Sequence, residues 1–233
     1  MPTHANALAI IVKAPRAGLV KTRLAPPLTH EQAAEFYRAL LLDQLTHLES
    51  FSDAERYVAY APDDAEAMLR ELAGADYGYL PQRGDDLGMR MKLLFEDLWQ
   101  RGHSKIVLIG SDLPPLPLAI LHDAFTRLNS TKRQVVLGPS RDGGYYLVGM
   151  NRPTPQLFEN MTWSHDRVLA QTIKKLTSLG IGYDLLARWF DIDSLDDVRR
   201  LRGLTEPAIR QAMPRTQEYL DKLNQLGCLD ERA

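Results

Sequence analysis

The sequence predicts an α/β protein built on a largely parallel β-sheet. Short apolar runs, which are typical of buried strands, alternate along the chain with longer segments whose apolar residues recur at helical spacing. Most of these runs are apolar throughout rather than at every second residue, which favours a sheet covered by helices on both faces. The chain has 233 residues, 45% of them hydrophobic, and is long enough to bury the core that such a sheet needs.

Six segments are predicted to be strands. Helical segments separate most of them, but the last two are joined only by a turn at residues 142–144 and are expected to pair antiparallel. The six predicted strands are residues 8–13, 56–61, 77–82, 105–110, 134–139 and 145–150.

The helical segments carry recognisable start and stop signals. Thr29 with Gln32 predicts a capping box, and a helix over residues 62–74 is expected to end at Gly74. Ser164 or Asp166 is expected to cap a later helix. Residues 187–203 predict a short strand, a carboxylate-rich turn and a helix capped by Ser194. We expect one domain over residues 1–233, with a helical C-terminal extension from about residue 205 that is divided at residue 214.

Composition and charge argue against several classes of function. The formal net charge of −2 disfavours nucleic acid as the main partner, since duplex binding depends on basic side chains that neutralise phosphates. The single cysteine, Cys228, allows neither an intrachain disulfide nor a cysteine-based zinc site. No apolar run approaches the roughly 18 residues of a membrane span, and the start of the chain lacks the basic segment of a signal peptide. We therefore expect a cytoplasmic protein without a membrane span.

A basic loop is predicted directly after the first strand, in the segment VKAPRAGLVKTRLAPPL. It contains Gly18 and four basic residues: Lys13, Arg16, Lys21 and Arg23. Such a loop can hold phosphates, because main-chain N–H groups and basic side chains together compensate their charge. It departs from the P-loop pattern, since Val20 replaces the glycine before the lysine. The alternative interpretation is a solvated basic loop.

Acidic residues follow two of the extended segments. Asp112, in VLIGSDLPPL, lies two residues before a pair of prolines that prevents the strand from continuing. Asp191 and Asp193 lie two residues apart in WFDIDSLDDV, and we expect only one of them to face the same site as Asp112. Ligands of open α/β sheets bind beyond the carboxyl ends of the strands, where a divalent cation could join these carboxylates to phosphates. Each aspartate could instead cap a turn.

Three further segments carry weaker signals. QRGDDLGMRM places glycines at a strand-to-helix junction, where free N–H groups attract phosphates or base edges, although Gly88 could serve packing alone. SRDGGYYLVG has the form of a simple hairpin. His165 stands at a helix start, where a structural role is commoner than a catalytic one, and we assign it no catalytic role.

Six segments, taken in order, carry a family resemblance: KAPRAGLVKTRL, QRGDDLGMRM, GSDLPPL, GPSRDGGYYLVG, WSHDRVLAQT and WFDIDSLDDV. Together they resemble the radical-SAM/selenodomain-associated transferase family 1. That family includes proteins described as arsenosugar-biosynthesis glycosyltransferases and is related to 2-phospho-L-lactate guanylyltransferase. The resemblance covers about residues 8–201 and leaves out the helical tail. It implies the GT-A-like fold of nucleotide-diphospho-sugar transferases, a three-layer sandwich with a mixed, mostly parallel sheet.

The resemblance also implies roles for particular residues. The positions expected to bind the nucleotide are Lys13, Gly18, Lys21, Arg23, Gln82, Gly84 and Gly88. The positions expected to border the acceptor or sugar are Arg141, Asp142, Gly143 and Gly144. Asp112 matches a metal-binding carboxylate, and Asp193, or else Asp191, completes a site for Mg²⁺ or Mn²⁺. Lys21, Arg23 and Asp112 are the expected catalytic residues. The glycine-rich nucleotide loop of sugar-nucleotide pyrophosphorylases is absent from the sequence.

From this resemblance we expect a metal-dependent glycosyltransferase that uses a nucleotide-sugar donor and a small-molecule acceptor. One alternative is a nucleotidyltransferase, similar to a guanylyltransferase, that uses a nucleoside triphosphate and releases pyrophosphate. The other is a non-catalytic nucleotide-binding protein. Both enzymes would stabilise a phosphate leaving group with a metal and basic side chains.

Overall fold

The computed structural model describes residues 4–229 and is organised around a seven-stranded sheet of strand order β3-β2-β1-β4-β6-β5-β7. Neighbouring strands run parallel except at β6, which is antiparallel to both β4 and β5. The mixed, mostly parallel sheet and the antiparallel pairing of the last two predicted strands are thus confirmed. The strands are β1 (Asn6–Lys13), β2 (Glu55–Ala61), β3 (Gly78–Pro81), β4 (Lys105–Gly110), β5 (Val135–Pro139), β6 (Tyr145–Met150) and β7 (Tyr183–Leu185).

Helices cover both faces of the sheet. They are α1 (His30–Glu49), α2 (Glu66–Ala73), α3 (Leu87–Gln100), α4 (Leu118–Arg127), α5 (Val168–Ser178), α6 (Leu195–Arg202), α7 (Pro207–Gln211) and α8 (Pro214–Gln225). Successive side chains of β1 alternate between two cores: Leu8 and Ile10 join the core under α1, α2 and α4, and Ala7 and Ala9 join the core under α3 and α5. The result is the expected sandwich of three layers.

A third core lies on the outer side of α1. Phe36 and Leu40 of α1 pack there against Val198 of α6 and Leu220 of α8. Since α1 buries one face against the sheet and the other against the C-terminal helices, it links the tail of the chain to the sheet. The predicted division of the tail at residue 214 coincides with the start of α8.

Two predicted caps are observed and one is wrong. Thr29 and Gln32 form the capping box of α1, and Ser194 caps α6. Neither Ser164 nor Asp166 caps α5, which begins later, at Val168. The reason is that the main-chain N–H of Leu169 donates to the carbonyl oxygen of Gly143, so a neighbouring loop satisfies this early amide of the helix.

The last strand differs from the prediction. The sequence predicts a short strand at the start of residues 187–203, whereas β7 lies earlier, at Tyr183–Leu185. The later segment is extended and has a single bridge, from Trp189 to Ser140. The short strand β7 lies at the edge of the sheet and leaves Leu185 43% exposed, so it lacks the continuous apolar run by which the other strands are recognised.

Candidate functional site

The sheet reverses its strand order between β1 and β4. From β1 the chain builds outward through β2 and β3, and then returns to place β4 on the other side of β1. In open α/β sheets such a switch point opens a crevice beyond the carboxyl ends of the two strands. The crevice here is a cavity of about 790 Å³, lined by residues of the loops that follow β1, β3 and β4 and by residues of β6.

The loop after β1 turns the side chain of Lys21 inward. Lys21 has a left-handed backbone conformation, with φ 49° and ψ 34°, and starts a short 3₁₀ helix, Thr22–Leu24, whose Leu24 is buried. Gly18, at φ +76°, supplies another left-handed position, and a Cβ there would meet no atom within 4 Å. Glycine is therefore favoured at position 18 by its positive φ angle, and not by a lack of space for a side chain.

The ammonium group of Lys21 lies between two carboxylates. Its Nζ is 2.5 Å from Oδ1 of Asp112 and 3.4 Å from Oδ1 of Asp193, and it donates to the carbonyl oxygen of Ile192 at 2.6 Å. The Lys21 side chain is 2% exposed, whereas those of Asp112 and Asp193 are 53% and 45% exposed. The lysine thus lies behind the carboxylates, which present their remaining surface to the cavity.

Helix α1 fixes the loop that carries Asp112. Along one face of α1, Tyr37 bonds the hydroxyl of Ser111 at 2.7 Å, Gln44 donates to the carbonyl oxygen of Gly110 at 3.2 Å, and His47 bonds that of Leu116 at 3.0 Å. Burial, with the nearby charge of Asp112, raises the pKa of Tyr37 and keeps its hydroxyl protonated. The two prolines after Asp112 and these three bonds together hold the loop in place.

The extended segment before α6 delivers the second carboxylate. Trp189 donates its main-chain N–H to Pro139 at the end of β5, and Ile192 donates to the carbonyl oxygen of Asp112 at 2.8 Å. Asp193 pairs with Lys21, and Asp191 accepts a hydrogen bond from the hydroxyl of Ser140. Residues two positions apart in an extended segment share a face, so the prediction that only one of the two aspartates faces the site of Asp112 is wrong. Both aspartates line the cavity.

The carboxyl group of Asp191 has a raised pKa. Burial raises its pKa to about 7, and the negative charges of Asp142, Asp193 and Asp112 act in the same direction, while the hydrogen bond from Ser140 opposes them. Four carboxylates therefore lie close enough to influence one another at this end of the cavity.

The segment after β3 presents a fixed hydrogen-bond acceptor. Gln82 is 8% exposed, and its side-chain nitrogen donates to the carbonyl oxygens of Val12 at 2.9 Å and Ala59 at 2.8 Å. Both amide hydrogens are thus engaged by the ends of β1 and β2, which orients the side-chain oxygen and leaves it as the acceptor available to a ligand. Gly84 has φ +117°, and its carbonyl oxygen accepts from Nε of Arg90 at 3.0 Å.

Gly88 serves packing in this structure. A Cβ at Gly88 would lie 2.6 Å from the indole of Trp163, so the glycine lets this ring lie against the start of α3. Trp163 itself lines the cavity, and its buried Nε1 has no hydrogen-bond partner among the described residues.

The loop between β5 and β6 forms the wall opposite the basic loop. Gly143 has φ +90°, and a Cβ there would lie 1.9 Å from the carbonyl oxygen of Asp166, so only glycine fits. The N–H of Gly144 donates to Asp142 at 2.8 Å. The guanidinium of Arg141 lies over the ring of Phe190, 5.3 Å from its centroid, and outside the cavity lining.

The structure brings together most of the residues singled out in the sequence. Nine of them line the cavity: Lys13, Lys21, Arg23, Gln82, Asp112, Asp142, Gly144, Asp191 and Asp193. Five shape its loops without lining it: Gly18, Gly84, Gly88, Arg141 and Gly143. Sequence reasoning missed Tyr37 and Arg90, which reach the cavity from helices whose patterns indicate only packing. It also missed Leu19 and Leu87, which are 59% and 42% exposed at the cavity; an apolar residue within a polar loop is the signal that could have identified them.

Two features are absent from residues 4–229. Within residues 4–229, no group of three or more His, Cys, Asp or Glu side chains is arranged to hold a metal ion. No helix in that part of the chain is long and apolar enough to cross a membrane.

Residues 44–165, slightly more than half of the chain, match the family described as "uncharacterized protein conserved in bacteria (DUF2064)". The chain belongs to this family. The matched region contains Gln82, Asp112 and the loop between β5 and β6, whereas Lys21 and Asp193 lie outside it. The finer resemblance to the radical-SAM/selenodomain-associated family stays a prediction.

Three solved structures with the same fold are described as transferases. A protein of Desulfovibrio desulfuricans G20, described provisionally as a nucleotide-diphospho-sugar transferase, is similar at TM-score 0.88 and 29% identity, over 96% of this chain and 97% of that chain. A cytidylyltransferase of Leptospira borgpetersenii matches at TM-score 0.59 and 11% identity, over 99% and 98%. Glucosyl-3-phosphoglycerate synthase of Mycobacterium tuberculosis, in complex with Mn²⁺ and uridine diphosphate, matches at TM-score 0.52 and 12% identity, over 98% and 82%. These likenesses confirm the GT-A-like fold of nucleotide-diphospho-sugar transferases.

Proposed function

We propose that this protein is a metal-dependent glycosyltransferase that takes a sugar from a nucleotide-sugar donor. One observation carries the proposal: Asp112 and Asp193, from distant parts of the chain, meet around one cation at the switch point of the sheet, beside a basic loop. A nucleoside diphosphate held by a divalent cation and by basic side chains would match this distribution of charge. The transferase descriptions of proteins with the same fold support this proposal.

The two carboxylates fit a divalent cation that completes its coordination with phosphate oxygens. Both already share a positive charge, that of Lys21, and both are about half exposed to the cavity. Magnesium typically takes one or two carboxylates and fills its remaining positions with phosphate oxygens and water, so a cage of three acidic side chains is not required. Asp112 and Asp193 would hold the metal, Mg²⁺ or Mn²⁺. When bound, the metal would neutralise charge on the departing diphosphate.

The chain's own residues would bind and orient the donor. Arg23 is 78% exposed and lies within reach of the same phosphates, and Lys13 lines the cavity at the end of β1. The fixed oxygen of Gln82 would accept a hydrogen bond from the nucleobase. Asp142 and Gly144 would border the sugar and the acceptor on the opposite wall. Charge compensation by Arg23 then favours departure of the diphosphate.

The charge of the opposite wall favours glycosyl transfer over transfer of a nucleotide to a phosphate. Asp142 and Asp166 line this side of the cavity, and in the part of the chain that the structure describes no lysine or arginine of residues 142–168 joins the lining. A phosphate-bearing acceptor would meet these carboxylates at close range, which is unfavourable. A neutral, hydroxyl-bearing acceptor would instead find hydrogen-bond acceptors.

Nucleotidyl transfer is the second candidate. It is favoured by the likeness of the whole chain to a cytidylyltransferase. In that reaction a nucleoside triphosphate would bind the same basic loop and pyrophosphate would leave. The two reactions differ in their products, since glycosyl transfer releases a nucleoside diphosphate.

The first experiment therefore identifies the product. Purified protein is incubated with Mn²⁺ and panels of nucleotide sugars and nucleoside triphosphates, together with neutral polyols and sugar phosphates as acceptors. We expect a nucleoside diphosphate to be released from one nucleotide sugar in the presence of a neutral acceptor. Release of pyrophosphate from a triphosphate would establish the second candidate instead, and release of neither product would contradict both.

The matching variant is Asp112→Asn, which keeps a hydrogen-bond acceptor for Lys21 but removes the charge that would hold a metal. We expect turnover to fall by about 10²–10³-fold, the loss typical of removing one electrostatic contact to the transition state. Asp196→Asn, in the first turn of α6, is the control, because Asp196 is 82% exposed and pairs with Arg199 of the same helix. Full activity in Asp112→Asn would exclude the proposed role of this residue.

A further inference from the structure

We propose that Lys21 is a positioning residue, which sets the spacing and orientation of Asp112 and Asp193 and does not bind phosphate itself. The proposal rests on the proposed function, because it concerns the metal and the phosphates that this function requires. It assigns Lys21 a different role from the phosphate contact that the family resemblance implies.

The three N–H donors of the Lys21 ammonium group each have an acceptor. They face Oδ1 of Asp112 at 2.5 Å, Oδ1 of Asp193 at 3.4 Å and the carbonyl oxygen of Ile192 at 2.6 Å. An ammonium group has three donors and no more, so a phosphate oxygen would have to displace one of these partners. The ring of Tyr37, with its centroid 5.8 Å from Nζ, lies against the same ammonium group.

The side chain of Lys21 is buried, although the residue belongs to the cavity lining. Only 2% of its side chain is exposed, while about half of each carboxylate remains exposed. The carboxylates therefore stand between the ammonium group and the space where phosphates would bind. A buried charge is stable only when it is paired and hydrogen-bonded, which ties Lys21 to these partners.

The backbone directs the lysine inward. Lys21 has φ 49°, a conformation that costs energy for a residue with a side chain and persists where surrounding contacts enforce it. The main-chain N–H of Leu24 donates to the carbonyl oxygen of Lys21 at 2.9 Å, and Leu24 is fully buried. The loop is thus anchored immediately after the lysine, and a swing of Lys21 toward the cavity would have to break this arrangement.

Arg23 has the opposite environment and supplies the comparison. Its side chain is 78% exposed, and its ion pair with Asp193 is long, at 4.0 Å. Arg23 can therefore turn to a phosphate at little cost, since exposed pairs of this kind contribute little to stability. Two basic residues of one loop, two positions apart, are expected to act in different ways.

The inference is tested by calorimetric titration of inorganic pyrophosphate, with and without Mg²⁺, into the unmodified protein and into Lys21→Met and Arg23→Met. In Lys21→Met we expect the metal-free affinity to stay within about threefold of the unmodified protein, and the gain in affinity from Mg²⁺ to fall at least tenfold. In Arg23→Met we expect the metal-free affinity to fall about tenfold, with the gain from Mg²⁺ retained; a tenfold change corresponds to about 1.4 kcal/mol.

A double variant adds a readout that a general loss of structure would not give. If Lys21 acts through Asp193, the losses caused by Lys21→Met and Asp193→Asn in the Mg²⁺-dependent gain of pyrophosphate affinity will not add. Each change alone already removes the contribution that the positioned Asp193 carboxylate makes to metal binding. Circular dichroism checks that each variant is folded. If Lys21→Met does not fold, Lys21→Gln replaces it, because the glutamine keeps an N–H donor for the carbonyl oxygen of Ile192.

The outcomes are distinct. Loss of metal-free pyrophosphate binding in Lys21→Met, to the same extent as in Arg23→Met, would show that Lys21 binds phosphate and would overturn the inference. Additive effects in the double variant would also contradict it. Absence of pyrophosphate binding in the unmodified protein would refute the phosphate site of the proposed function itself, and the inference with it.

Discussion

Asp191 and Asp193 illustrate how two acidic residues on one side of a segment can have different partners. Asp193 pairs with Lys21 and faces the proposed metal site, whereas Asp191 turns to Ser140 and has a pKa raised to about 7, chiefly by burial. The expectation that only one of them faces the site was wrong. That both line the cavity could be predicted from the sequence, since residues two positions apart in an extended backbone share a face. The pairing with Lys21 could not, because the residues are 172 positions apart and no local pattern links them.

His47 is the residue from which we expect a dependence of stability on pH. Burial lowers its pKa below the ordinary value of 6.5, against a smaller opposing effect of its hydrogen bond to Leu116. The folded protein therefore binds this proton less readily than the unfolded chain does. The contribution of His47 to stability is complete above pH 6.5 and is lost as the pH falls below it.

The test compares thermal unfolding of the unmodified protein and His47→Gln between pH 7.5 and 5.0. The glutamine keeps an N–H donor for Leu116 and cannot titrate, so we expect its melting temperature to fall less on acidification. His30→Gln, at an exposed position on the same helix, is the control for removal of a histidine. Parallel curves for the unmodified protein and His47→Gln would contradict the assignment.

Helix α1 is the element on which the site most depends. Its inner face bonds the loop that carries Asp112 through Tyr37, Gln44 and His47, and its outer face packs against the C-terminal helices. The existence of α1 and its capping box could be predicted from apolar spacing and from Thr29 and Gln32. The polar bonds of the inner face could not, because helical spacing does not reveal which loop a residue meets.

Asp43 of α1 is expected to stabilise the C-terminal tail. Its side chain is fully buried and accepts the main-chain N–H groups of Arg215, at 3.2 Å, and Thr216, at 2.7 Å, at the start of α8. Asp43→Ala would leave these N–H groups without a partner. We expect the free energy of unfolding to fall by about 1.5–3 kcal/mol, the range for lost hydrogen bonds to a charged group.

Arg215→Ala is the matched comparison. The arginine side chain is 47% exposed, so its ion pair with Asp43 is expected to contribute no more than about 1 kcal/mol. Equilibrium urea denaturation measures both variants. Equal losses in the two variants would mean that the ion pair, rather than the capping of α8, carries the effect.

At the scale of the whole molecule, fold and site differ in how much the sequence reveals. Alternating strands and helices predict the layered sheet, and the rule that ligands bind beyond strand ends brings Lys13 and Asp112 to one edge. The missed strand β7 and the inward Lys21 depend on contacts between distant segments. Functional residues on both sides of the matched family region, 44–165, likewise come together only in the fold.

The protein has a net charge of −2 and basic side chains in one cavity, so we expect small phosphates, and not nucleic acid, to bind it and raise its melting temperature. A nucleoside diphosphate with Mn²⁺, at one hundred times its dissociation constant, would add about 2.7 kcal/mol of stability. For a protein of this size that is a rise in melting temperature of roughly 5–11 °C. Differential scanning fluorimetry with a nucleotide panel measures it, with duplex DNA as the control. An equal shift with DNA, or none with any nucleotide, would contradict this account.

The pairing of Lys21 with Asp193 also has a consequence for biosynthesis. The lysine is translated 172 residues before its partner. At 5–20 residues per second, roughly 9–35 seconds separate the synthesis of the two. During that interval the nascent chain can form β1 to β4, but the lysine that the finished protein buries has only one of its two carboxylates. The loop after β1 therefore completes its contacts late in synthesis. A chaperone that binds incomplete chains would encounter this loop before Lys21 is paired with Asp193.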